Sequence, residues 1–437
     1  MPKLKRNIGT FGAASVGIAN IIGAGIFVLS GVASGIAGPA VILSFLIAGV
    51  IAMMTALSAS ELSSFITETG ASYAYTKRAF GRFWSFFVGW FKYFDYLIGG
   101  AAVSIGFAAY FTTIFGLEGE LPIILAAVGL PIVLCILNFI GVKEATNVTS
   151  VMVLIKIFAI VVLLMFGGYY LLNHFDIGHY TPFFATGFGG MLNGAAVIFF
   201  VFIGFNTVTM MSEETKNPHK TIPRALMLAF VITFVLYMAV AFLLIGTLDW
   251  KNTSSDAHPL SSIALVISDN SMLFDFISFS ALIATGSVVL SSILGGTRAS
   301  FAMGRDRLLP SQFDKISKKF GTPYFSIFIA GIVIVVFAGI FYDNIETIAS
   351  IVNFGSLFTY LFVNLSLLKL RKSEPKTIRF FKVPLYPVIP IIGSISCVGL
   401  MFFLNESALF VSAIWAIVGL IVFFVFYRKQ TNSKKII

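Results

Sequence analysis

Charge is what this chain has least of. Asp, Glu, Lys and Arg make up 11% of its 437 residues, against about 25% in a soluble domain. With 58% hydrophobic residues and a mean hydropathy of +0.96, most of the chain has to sit in lipid. Cysteine is nearly absent. Cys135 and Cys397 both fall inside apolar stretches, where a buried thiol is the ordinary reading and a disulfide framework is not expected. The four histidines, His174, His179, His219 and His258, fall in connections and show no ligand spacing, so no metal is assigned and no cofactor is expected. No His, Cys or paired-carboxylate constellation lies at membrane depth, which argues against an enzyme. Charged residues within the apolar stretches are also too few to line a continuous pore, which argues against a channel.

What the chain does have is long hydrophobic runs. About 20 apolar residues cross a bilayer, and twelve such stretches are separated by charged or turn-rich breaks: 9–34, 39–65, 83–115, 121–141, 149–172, 187–211, 224–246, 273–300, 324–341, 345–368, 384–404 and 408–427. The longest polar connections are Lys216 to Arg224, Leu248 to His258, Arg305 to Pro323 and Lys369 to Lys382. None can hold a soluble domain, so residues 1–437 are expected to form a single all-α membrane domain. The apolar segment after the basic start runs past 25 residues without a small-residue cleavage site, so the first helix is expected to stay.

Charge placement tests the span count independently of hydropathy. If the N-terminus is cytoplasmic, all but three of the 29 Lys and Arg residues fall in inside segments; Lys251 is outside, and Lys92 and Lys156 lie within spans. A missed or invented helix would scramble that asymmetry. The pattern therefore supports an even number of spans with both termini in the cytoplasm of a plasma-membrane protein. The net charge of +10 is read as a topology signal, because the basic residues are spread over short loops and form no nucleic-acid face.

Two spans carry glycine interruptions: the first at Ile21-Ile22-Gly23-Ala24-Gly25-Ile26-Phe27 and the sixth at Phe202-Ile203-Gly204-Phe205-Asn206-Thr207. Small residues in one membrane helix most often mean close packing. Two such sites five spans apart, in halves of opposite topology, point instead to broken helices around a midplane site.

Several motifs in order carry a family resemblance. They are Gly23-Ala24-Gly25-Ile26-Phe27, then Glu61-Leu62 with Gly70-Ala71-Ser72-Tyr73-Ala74-Tyr75, and Glu213-Glu214-Thr215-Lys216-Asn217-Pro218 followed by Ile222-Pro223-Arg224-Ala225. Arg305-Asp306-Arg307-Leu308-Leu309-Pro310 and Gly321-Thr322-Pro323 complete the set. The sequence resembles an amino acid permease of the amino acid–polyamine–organocation superfamily. The resemblance implies the leucine-transporter-type fold: two inverted five-helix repeats (9–172 and 187–368), two further helices (384–427), and helices 1 and 6 broken.

It also implies a secondary transporter, expected to be a proton-coupled symporter of neutral amino acids working by alternating access. The alternative is an exchanger of cationic amino acids or polyamines. The expected partners are the amino acid, the proton and membrane lipid. By similarity the amides around Ala24 and Gly25 hold the substrate carboxylate, the carbonyls of Ile21, Phe200, Val201 and Ile203 hold its amino group, and Gly23 and Gly25 let the ligand approach closely. Phe200 would be an aromatic gate. The side-chain pocket is expected from Gly99-Gly100-Ala101-Ala102 and Thr285-Gly286-Ser287 together with the tenth span, with Asp95 keeping the cationic alternative open. Lys156 matches a lysine that replaces a sodium ion in some proton-coupled relatives, and Ser287 would be its partner on the eighth span. Lys92 and Asp95, three residues apart on one helical face, read as a neutralising pair near the cytoplasmic end of the third span. Glu61 reads as part of an inner gate or ion pair, and Asn206 stands where relatives often carry an acidic residue.

Overall fold

The structure is a computed structural model that describes residues 8–433 except 24, 69, 141–144, 211, 213–214, 254–255, 257 and 269–270. Ala24, Lys143 and the Glu213-Glu214 pair therefore lie outside the described residues. Every named element is helical among the described residues. In lipid no water meets stray backbone groups, so a spanning segment has to satisfy its own amides and carbonyls, and an α-helix does so.

The described chain begins with α1 (Thr10–Ile21), leaves the helix at Ile22 and Gly23, runs as a π turn over Gly25–Leu29 into α2 (Ser30–Ala37), and turns at Gly38-Pro39 into α3 (Val41–Ser63). A short α4 (Ser72–Phe80) leads to α5 (Arg82–Ile114), α6 (Glu120–Ile140) and α7 (Ala145–His174). The next span is again interrupted: α8 (Gly187–Ile198), a 3-10 turn (Phe199–Phe202), four non-helical residues and α9 (Thr207–Met210). The chain continues with α10 (Pro218–Thr247), α11 (Trp250–Thr253), α12 (Pro259–Ile267), α13 (Ser271–Arg305), α14 (Tyr324–Ile340), α15 (Ile345–Ser373), α16 (Val388–Met401) and α17 (Glu406–Ser433). Among the described residues, nine segments are long and apolar enough to cross a membrane, one of them the 54-residue run Thr10–Ser63; α14 and α16 are shorter apolar helices.

Several helices outrun their apolar stretches. α10 starts at Pro218, not at the expected 224, because Pro218 occupies the first turn, where the missing N–H costs nothing. The segment Lys216 to Arg224, expected as a loop, is thus mostly the first turns of a helix. α13 likewise carries its charged end to Arg305, beyond the expected 300.

Burial separates the centre from the rim. The most apolar windows of α5 and α15 are each 72% buried, while that of α6 is 17% and that of α17 22%. α5 packs against α13, α15, α6 and α14, and α10 against α3 and α1. Outer helices instead expose Leu125, Phe158, Met165, Phe410 and Ile421, a surface that fits lipid and would be ruinous in water.

At the ends of α3 and α15 the helices are tied by charge. Glu61, fully buried, takes a bidentate pair from Arg371 at 2.7 and 2.6 Å. It also accepts from the Val383 amide at 2.6 Å and meets Arg379 Nε at 3.2 Å. The expected ion pair at Glu61 is therefore a three-way junction joining α3 to the α15–α16 connection. Removing one partner of a buried pair strands the other charge, a loss of about 3–5 kcal/mol. Glu61→Gln is expected to lower the thermal unfolding midpoint in detergent clearly, and an unchanged midpoint would show the junction to be dispensable. Nearby, Tyr73 and Lys77 donate to Asp306 at 2.6 and 2.9 Å. Burial alone would raise the Asp306 carboxyl, but these donors outweigh it and hold it below the usual carboxylate range.

Candidate functional site

The two helix breaks face each other. A β-carbon at Gly25 would come within 2.9 Å of the Val201 Cα and 3.3 Å of the Phe200 ring. Gly204, at φ +122°, lies so close to the end of α1 that a β-carbon there would sit 2.6 Å from the Asn20 carbonyl oxygen. Glycine is needed at both places for close approach, and at Gly204 also for the backbone conformation.

Between the breaks lies a cavity of about 70 Å³. It is smaller than the ~150 Å³ hole that admits benzene. Ile21, Gly23 and Gly25 line it from the first break, and Phe200, Ile203, Gly204, Asn206 and Thr207 from the second. α5 contributes Lys92, Asp95, Tyr96, Gly99 and Val103, α13 contributes Val288 and Ser292, α15 contributes Val352, and Asn20 completes the wall.

The ends of the broken helices bring main-chain groups to the cavity. The first amides of the run that starts at Gly25 have no acceptor within their own helix and form its positive end. The last carbonyls of α1 are mostly occupied. Lys156, 1% exposed, reaches across from α7 and donates to Ala19 O and Ile22 O, both at 3.0 Å, and the Tyr237 hydroxyl donates to Ile21 O at 2.9 Å. On the other break, Phe200 O accepts the Ile203 amide at 3.1 Å, while Asn353 on α15 donates to Ala196 O at 2.6 Å.

Of the residues expected from sequence, Ile21, Gly23, Gly25, Phe200 and Ile203 meet at one cavity. Val201 is buried behind it, against Gly25. The Ile21 and Phe200 carbonyls already hold protein donors, which leaves each a second lone pair. Ser287 gives its hydroxyl to Ala284 O at 2.8 Å and is not among the acceptors of Lys156. Gly99 lines the cavity; on α13 the lining residues are Val288 and Ser292, the second a full turn further along than Thr285-Gly286-Ser287. Lys92 and Asp95 need a larger correction: they form the expected pair at 3.3 Å, but in the cavity wall and not near a helix end. Asn206 was visible only as a departure from the family pattern, yet it lines the cavity with a buried amide nitrogen that has no partner among the described residues.

The profile of the amino acid permease family matches residues 8–426. The branched-chain amino acid permease BcaP of Bacillus subtilis is 32% identical over 98% of this chain and 94% of its own length. The methylthioribose transporter of the same organism is 34% identical over 99% of this chain and 95% of its own. The mitochondrial cationic amino acid transporter 3 of Arabidopsis thaliana is 33% identical over 83% of this chain, which spans 61% of that relative.

Proposed function

The chain belongs to the amino acid permease family, and we propose that it is a secondary transporter that moves neutral amino acids with protons by alternating access. The observation that carries the reading is the cavity between two broken helices. A zwitterion leaving water loses several kcal/mol for each polar group left unsatisfied in lipid. The first amides of the helix that begins at Gly25 suit its carboxylate, and the remaining lone pairs around Ile21, Phe200 and Ile203 suit its ammonium. Val103, Val288, Val352 and Ile203 give the side-chain end an aliphatic wall. This supports a neutral, aliphatic substrate, in keeping with the printed name of the branched-chain relative. In this reading Phe200 is the gate, and Ala24 contributes an amide at the first break.

Lys156 supports the proton half of the proposal. Its ammonium holds the negative end of α1 through two carbonyls, so its protonation is tied to the position of the half-helix that lines the cavity. The proposed architecture is twelve spans of leucine-transporter type. The 54-residue run counts as two crossings, since ~80 Å of helix far exceeds a ~30 Å hydrocarbon core; with the seven further long segments besides the α17 end pair, α14 brings the crossings to ten. α16 and α17 are then accessory, and both termini face the cytoplasm of the plasma membrane by the basic-residue pattern.

Proteoliposome uptake of labelled amino acids under an inward proton gradient, with a sodium gradient in parallel, tests this. Accumulation driven by protons and blocked by leucine, isoleucine and valine is expected. Uptake that ignores both gradients and needs internal substrate would make the protein an exchanger.

A further inference from the structure

Among the described residues, the charged side chains in the cavity wall are a single pair, Lys92 and Asp95. Both are almost fully buried, at 7% and 4% exposure. Lys92 Nζ donates to Asp95 Oδ2 at 3.3 Å and lies 5.0 Å from the centre of the Tyr96 ring. The Ser356 hydroxyl of α15 donates to the same oxygen at 2.6 Å, while Oδ1 has no hydrogen-bond partner among the described residues. The carboxylate therefore keeps acceptor capacity that Ser356 and Lys92 do not use. A buried carboxylate beside an amino acid cavity is the recognition element for a substrate that carries a cationic side chain. Here the protein supplies that cation itself.

We infer that Lys92 is the charge filter of the cavity, excluding positively charged substrates by occupying, beside Asp95, the place their side-chain cation would take. The inference rests on reading the cavity as the amino acid site and assigns the residue that keeps its substrates neutral. With both charges present the wall is neutral overall, so neither a lysine-like nor a glutamate-like side chain gains a partner. A second ammonium would meet Lys92 at short range in a medium that screens it poorly. Taking away Lys92 alone leaves a vacant anionic subsite, and taking away Asp95 alone leaves a cationic one. The two variants thus predict opposite changes in selectivity, which a merely structural pair would not produce.

The test is competition against labelled leucine uptake in proteoliposomes, with wild type, Lys92→Met, Asp95→Asn and the double variant. In wild type, excess lysine, arginine or glutamate is expected to leave leucine uptake unchanged. In Lys92→Met, lysine and arginine should compete with at least about a tenfold gain in potency, and glutamate should not. In Asp95→Asn the gain should pass to glutamate, and the double variant should return to the wild-type competition pattern whatever its absolute rate. Competition by lysine in wild type, or unchanged selectivity in folded single variants, overturns the inference. So does recovery of folded protein from the double variant alone, which would make the pair purely structural. Wild type that takes up no leucine under any gradient removes the neutral amino acid reading itself, whereas leucine uptake with unresponsive variants removes only the role of Lys92.

Discussion

Lys156→Ala is expected to bind substrate but to lose proton-driven accumulation, with uptake under an inward proton gradient falling to the level seen without one. The side chain crosses from α7 to the last turn of α1 and gives its ammonium to Ala19 O and Ile22 O. Those residues flank Asn20 and Ile21, which line the cavity. A charge at this point therefore acts on the orientation of the half-helix more than on the substrate. Alanine leaves two buried carbonyls without donors, at a cost of about 1–3 kcal/mol each, so some loss of stability should accompany the change. Lys156→Arg separates the two effects, because a guanidinium keeps the donors and does not release its proton. It should restore stability and leave uptake uncoupled. Substrate binding in detergent, thermal unfolding and gradient-driven uptake, measured on the same preparations, check all three expectations. Intact proton coupling in Lys156→Ala would return Lys156 to a structural role.

The breaks and their lining were legible in the sequence because glycine is conspicuous in an apolar helix. Ile21 to Gly25 and Ile203-Gly204 mark both, and five of the named residues do converge. The errors came from depth and helical phase, which hydropathy does not report. Lys92 and Asp95 looked like residues near a span end, yet α5 begins at Arg82, and ten to thirteen residues at 1.5 Å each put them ~15–20 Å along it. That is half or more of a ~30 Å hydrocarbon core, and the expected stretch itself starts at residue 83, so counting the rise along it would have placed them. On α13 the error was one of phase. Val288 and Ser292 are four apart and share the face that lines the cavity, whereas Ser287 is turned about 100° away from Val288 and bonds its own helix. The carbonyls of Ile21 and Phe200, expected to face substrate, each also hold a protein donor, and those donors, the Tyr237 hydroxyl and the Ile203 amide, come from tertiary packing and from a 3-10 turn. No local pattern announces either.

Gly204→Ala is expected to abolish uptake, and it does so without touching a charge. Two costs coincide at this residue. Its φ of +122° lies in a region that L side chains rarely adopt, worth about 1–3 kcal/mol if the backbone is held there. A methyl group would also be driven to 2.6 Å from the Asn20 carbonyl oxygen and 3.2 Å from the Ile21 amide nitrogen. The contact is with backbone, so no rotamer change relieves it, and either the sixth-span break or the end of α1 has to move. Both surfaces line the cavity, so the displacement falls on the site itself. Gly286→Ala on α13, where an added β-carbon meets nothing within 4 Å, controls for the loss of a glycine as such and should fold and transport. Uptake by both variants at the wild-type rate would mean that the two broken spans are not held against each other, and the cavity between them would lose its claim as the substrate site.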